Sequence, residues 1–198
     1  MKSILRSASA AALLSFAASA AADLSAVPSG DYGLDKTHGY ITFSYSHLGF
    51  SNPHVGFDSF DVALDLNSDT PENSSLNVTI DAASINSRVA EFDDHLNGDK
   101  FFDTTNHPTI TFTSTGIKKT GDDTFDVMGN LVIKGVSKPV TLAATINKAA
   151  QHPMRKVATV GVSASAKLNR SEWDLGLYAP AVGDEVTLMI EVELPQSK

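Results

Sequence analysis

The stretch Glu185-Val-Thr-Leu-Met-Ile-Glu-Val-Glu-Leu194 puts Val186, Leu188, Ile190, Val192 and Leu194 on one side and mostly polar residues on the other. Strict alternation over about ten residues is the mark of a β-strand with one buried and one wetted face. Working outward, seven more segments obey the same rule, near 38–47, 56–66, 75–82, 108–118, 124–134, 138–147 and 157–168. Turn chemistry separates them: Gly49 with Pro53 and Gly56, Pro71-Glu-Asn73, Gly121-Asp-Asp123, Gly135 through Pro139, and Pro180 through Asp184. Links this short favour antiparallel neighbours. The expectation is an all-β chain, an eight-stranded antiparallel β-barrel, with Tyr32–Asp35 as a candidate ninth strand.

One segment breaks the rule. Between Ser84 and His107, Val89, Phe92 and Leu96 fall three and four apart, as on one side of a helix, with Ser87 placed to cap it and Gly98 to end it. A short helical insert near 86–98 is therefore expected to cover one mouth or side of the barrel.

The first 22 residues carry Lys2 and Arg6, then an apolar run through Leu13, Leu14 and Phe16, then small residues ending at Ala22. That order is the pattern of a cleavable secretion signal, with the remaining chain, residues 23–198, as one domain in the periplasm or the secreted fraction. No later stretch approaches the length of an apolar transmembrane span. The chain has no cysteine, so the fold stands without disulfides. Its formal net charge is −8, and loss of Lys2 and Arg6 would take it to −10. An acidic surface without a Lys/Arg cluster repels phosphate backbones, which argues against nucleic acid as a partner.

The alternation also defines an inside. Val160, Val162, Ala164, Ala166 and Leu168 fall on the inner face of the seventh strand, and small side chains there leave volume that a barrel of eight strands can give to one small ligand. Phe43, Tyr45, Phe60, Ile110, Phe112, Leu131, Ile133, Leu142, Val162, Ala164 and Leu188 are the expected lining, with Phe101, Phe102 and Trp173 closing an end. Arg170 and Asp174 are expected to form an ion pair at a turn.

Catalytic signals are thin. The six histidines match no zinc spacing, so no metal site is assigned and structural roles are expected for them. There is no Gly-x-Ser-x-Gly elbow, His-Glu-x-x-His or phosphate-cradling glycine loop, and no catalytic residue is assigned.

Set end to end, several local motifs resemble the YceI-like family of polyisoprenoid-binding or lipid-binding proteins. They are Asp35-Lys-Thr-His38 with Ile41, Phe43 and His47; Gly56-Phe57; His95-Leu-Asn-Gly-Asp-Lys-Phe-Phe-Asp103; Pro108-Thr-Ile-Thr-Phe-Thr-Ser114; Gly129-Asn-Leu131; Gly135-Val-Ser-Lys-Pro-Val140; and Arg170-Ser-Glu-Trp-Asp-Leu-Gly176. The resemblance implies a lipocalin-like β-barrel whose interior accepts a long isoprenoid chain of the polyprenyl or quinone type. It also implies an exported bacterial protein without a catalytic role, in some cases a homodimer, that carries or sequesters this lipid. The alternative is a non-enzymatic, stress-associated structural or interaction protein with a solid barrel core.

Overall fold

The computed structural model describes residues 22–197, so the expected secretion signal lies outside the described residues except for Ala22. Eleven strands form one antiparallel sheet: β1 Gly30–Gly33, β2 Gly39–His47, β3 His54–Phe57, β4 Phe60–Leu66, β5 Ser75–Asp81, β6 Ile85–Asn86, β7 Thr109–Lys119, β8 Thr124–Ile133, β9 Val136–Gln151, β10 Ala158–Asn169 and β11 Val182–Pro195. Their order across the sheet is β1-β4-β5-β7-β8-β9-β10-β11-β2-β3-β6.

The sheet curls into a half-barrel. Bulges at Gly161/Val162, between Ser114 and Gly116 and between Val182 and Val186 sharpen its natural twist. At one end the curl is tight enough for the edge strand β1 to meet the C-terminal end of β11. An isolated antiparallel bridge joins Tyr32 to Gln196 there, and the Ser197 N–H donates to the Asp31 carbonyl at 2.7 Å. At the other end β2, β3 and β6 pair in order as the far edge of the sheet, and the interior holds the larger space.

The eight-strand count is corrected to eleven: the expected strand at 56–66 divides into β3 and β4, the candidate ninth strand near Tyr32 forms as β1, and the two-residue β6 adds a strand beyond the expected 75–82. Asp35-Lys-Thr-His38 makes the break between β1 and β2. The Asp35 carboxylate accepts from the Thr37 N–H at 3.1 Å and the Thr37 hydroxyl at 2.8 Å, turning the chain back on itself. The breaks between β3 and β4 and between β5 and β6 are stitched to each other. Asp58 N–H donates to the Ser84 carbonyl at 3.0 Å, Asp81 N–H donates to the Ser59 carbonyl at 3.0 Å, and the Ser84 hydroxyl donates to the Asp81 carbonyl at 2.7 Å.

The helical insert is shorter than expected. Helix α1 spans Ala90–Asn97, with Val89 rather than Ser87 at its N-cap, because Ile85–Asn86 pair with β3 as β6. Ser87 instead donates its backbone N–H to Asp93 Oδ1 at 2.6 Å, tying the helix start to the sheet edge. Gly98 ends the helix as expected, its N–H reaching the His95 carbonyl at 3.2 Å. Two-residue hairpins favour turns with positive φ at both centres, and Lys134 and Gly135, at 52° and 75°, supply that between β8 and β9.

Gly129 on β8 shows how the wall admits a large ring. A Cβ there would lie 2.4 Å from Phe112 Cζ and 2.6 Å from the Thr113 carbonyl oxygen. Gly129→Ala is therefore expected to destabilise the fold by about 1–3 kcal/mol, read as a lower urea midpoint at unchanged slope.

Candidate functional site

The wide end of the half-barrel holds an apolar cavity of about 560 Å³. Its wall comes from inward residues of β2, β5, β7, β8, β9 and β11. Its roof comes from Phe92 and Leu96 of α1, Phe101 and Phe102 just after it, and Leu175, Leu177 and Tyr178 from the loop before β11. Phe43, Phe57 and Phe102 form an aromatic cluster with ring centroids 5.8–6.4 Å apart. Val89 and Tyr178 line the cavity and are 57% and 58% exposed, which places the mouth beside them. Phe43, Tyr45, Ile133, Leu188 and Ile190 point inward but are only half-buried, because empty space rather than packed protein faces them.

Polar groups are few and held at the periphery. Arg170 donates from Nε to the Gly183 carbonyl and from Nη2 to the Val182 carbonyl, both at 2.9 Å, and from Nη1 to the Leu175 carbonyl. The guanidinium thereby pins the roof loop to the start of β11. The expected pairing with Asp174 is corrected: the acid beside Arg170 is Asp184, which itself accepts from the Ser171 N–H at 2.9 Å and hydroxyl at 2.7 Å. Burial lowers the pKa of Arg170 from its ordinary value, opposed by Asp184 and Tyr45. Burial likewise pushes the Tyr45 phenol up, with Arg170 pulling slightly the other way. His47, His54, His95 and Ser87 complete the polar lining, and the His95 ring lies 4.9 Å from Phe101.

Of the residues expected to line an interior, Phe43, Tyr45, Phe101, Phe102, Ile110, Phe112, Leu131, Ile133, Leu142, Trp173 and Leu188 border this cavity. Trp173 is buried and donates its indole N–H to the Leu131 carbonyl at 3.2 Å. Val162 and Ala164 border a second, smaller cavity of about 120 Å³ toward the tight end. There Ala164 is paired with Ala144, and two small side chains together leave a hole. The alanines thus do not make the large space, which lies under α1 and the loop before β11. Phe60 borders neither cavity. It is buried just past the β3–β4 break, its ring packed over Gly39, where a Cβ would come within 3.0 Å of it.

Sequence reading left Val55, Phe57, Leu175, Leu177 and Tyr178 out of the lining. Phe57 stands at a strand break, where the alternation resets. Trp173, Leu175 and Leu177 do alternate, and that period-2 run inside an apparent loop was the available signal.

The histidines do not converge. His47, His54 and His95 lie at the large cavity, whereas His38 lies at the β1–β2 corner. Among the described residues, Asp35, His38 and Glu193 bring possible ligand atoms within 4.8 Å of one another. Of the two acids, Asp35 is already engaged: it accepts from Thr37, has His38 Nδ1 at 2.8 Å, and is paired with the Arg155 guanidinium. Arg155, from the turn between β9 and β10, thus already supplies a positive charge to Asp35.

Residues 32–194 match the YceI-like domain, and the chain belongs to that family. A UPF0312 protein of Azotobacter vinelandii is 36% identical over 165 residues, covering 82% of this chain and 85% of the relative. The YceI protein of Campylobacter jejuni has a crystal structure that superposes with a TM-score of 0.71 at 30% identity, covering 77% of this chain and 90% of that one. A polyisoprenoid binding domain from Saccharophagus degradans, implicated in plant cell wall breakdown, shares the fold at a TM-score of 0.63 and 15% identity, covering 84% and 98% of the two chains. Among the described residues no helix is long and apolar enough to cross a membrane.

The Asp35 corner has a pH consequence. Burial raises its pKa, but the hydrogen bonds from His38, Thr37 and Arg155 outweigh that and hold the carboxyl well below the usual carboxylate range. A depressed folded-state pKa contributes stability that is present above the unfolded value, about 3.9, and is lost as pH falls below it. Wild type is expected to lose stability on acidification through that range, and Asp35→Asn to be less stable near neutrality with a flatter acid limb in urea titrations.

Proposed function

We propose that this protein binds a long apolar lipid of the isoprenoid class, polyprenyl or quinone-type, inside the half-barrel, and carries or sequesters it without catalysing a reaction. The observation that supports this most is the cavity of about 560 Å³ walled by aliphatic and aromatic side chains, within the 300–1,000 Å³ typical of small-molecule sites. Membership of the YceI-like family and a shared fold with a protein described as a polyisoprenoid binding domain support the same class of ligand.

The energetics fit. Burial of a methylene contributes roughly 0.8 kcal/mol, so one five-carbon unit offers at most about 4 kcal/mol before the costs of association. Micromolar affinity, about 8 kcal/mol net, then takes at least three units, and the head need not be gripped. The polar groups at the cavity favour that division. Three of Arg170's N–H groups are committed to backbone carbonyls, and Lys134 reaches away to the Asp99 carbonyl at 2.8 Å. With no cluster of free cations among the described residues to clamp a pyrophosphate, the reading favours a neutral head or one left in solvent.

The charged, apolar and small-residue order of residues 1–22 supports export, so the cargo would be held in the periplasm or outside the cell. The solid-core interaction protein requires an interior without room, and the cavity supports the carrier over it.

Mass spectrometry of solvent extracts from protein purified out of its native host is expected to find an isoprenoid lipid at near-stoichiometric amounts. Leu188→Trp, which fills the middle of the cavity from β11, is expected to reduce loading about tenfold while the fold survives. Extracts free of lipid, together with no displacement of a fluorescent polyprenol by unlabelled polyprenol, would overturn the carrier reading.

A further inference from the structure

The two cavities share a wall. Ile41, Val78, Leu142 and Ile190 border both the large cavity and the small one, and they come from four strands spread around the curl, β2, β5, β9 and β11. Ile41 and Ile190 are register partners across β2 and β11. Leu142 and Val78 reach in from β9 and β5. Ile41 and Leu142 are buried, while Val78 and Ile190 are only half-buried, as side chains with a void on two sides must be. Together the four make a collar of aliphatic groups between the wide and the tight end.

Beyond the collar the space stays apolar. The smaller cavity is bordered by Val62, Leu64, Leu76, Val127, Val162 and Ala164, among others, and is about 120 Å³ in volume. An apolar cavity of about 150 Å³ accommodates a six-carbon ring, so this one takes about one five-carbon unit. The Leu24–Ala26 turn stands at its far side, with Leu24 buried and bordering it.

We propose that Ile41, Val78, Leu142 and Ile190 set the length of the apolar chain that the barrel accepts. The collar is the floor of the large cavity, and the small cavity is a reserve subsite that a chain enters only when the collar yields. A chain that reaches the floor has buried all it can, and any further unit must fold back or remain at the mouth beside Val89 and Tyr178. No polar group stands at the collar to select by hydrogen bonding, so the selection is steric alone. The inference rests on the carrier reading and adds to it a ruler for the cargo.

The test uses synthetic all-trans polyprenols of stepped length, titrated against the folded full-length protein in competition with a fluorescent prenyl probe. In wild type, affinity should climb with each added unit and then level off. Leu142→Ala, which removes one side of the collar, should shift the plateau by about one unit and tighten binding of that next-longer chain about tenfold relative to wild type. Val78→Ala, a smaller change at a half-buried position, should shift it in the same direction to a lesser degree and serves if Leu142→Ala folds poorly. Adding Ala164→Leu to either variant refills the smaller cavity and should return the plateau to the wild-type length. An unmoved plateau in collar variants that still bind polyprenols would overturn the ruler and leave the carrier reading standing. Failure of wild type to bind any chain length would overturn both.

Discussion

A curled sheet has to fill whatever it encloses with the side chains it points inward, and at the wide end of this one there are not enough of them. The edge strand β1 bridges to the end of β11 at one end, while β2, β3 and β6 form the far edge of the sheet beside the large cavity at the other. At the tight end Val62, Phe125, Val127, Val160 and Leu194 are buried and leave only the smaller cavity between them. At the wide end Phe43, Leu188 and Ile190 face a void, and α1 with the Trp173–Tyr178 segment roofs it rather than filling it. The apolar cavity is thus a consequence of how the sheet bends.

The bends themselves are polar. Asp35 with Thr37 and His38, Asp58 and Ser59 with Asp81 and Ser84, and Arg170 with the carbonyls of Leu175, Val182 and Gly183 all do the same work, supplying hydrogen bonds where the strand ladder is interrupted. An interrupted ladder leaves backbone groups that must find partners or cost free energy. Among the described residues no buried side-chain nitrogen or oxygen lacks one.

Alternation made most of the strands legible, and β7 through β11 run close to the segments inferred from it. The count of eight missed the division of β3 from β4 because it is stitched by hydrogen bonds between residues far apart in the chain, such as Asp58 with Ser84, which no local period records. The helix was legible from Val89, Phe92 and Leu96, but its start was not, since Ile85 and Asn86 are claimed by pairing with β3. Most of the lining was legible for the same reason as the strands. The cause of the cavity was not: the alanines of β10 pointed to space, yet they make only the small hole opposite Ala144. Tyr178 escaped because a loop becomes a roof only through tertiary placement, whereas Leu177 sat in a short alternating run that read as a loop.

The account turns on an apolar chain lying along the inside of the curl, in touch with both its walls. Methyl-labelled protein mixed with an unlabelled polyprenol gives the most direct reading, through intermolecular nuclear Overhauser effects. Cross-peaks from prenyl protons to the methyls of Ile110, Leu131, Leu142 and Leu188 are the predicted result. Cross-peaks confined to exposed methyls such as those of Leu48, with the inner methyls unperturbed, would contradict it.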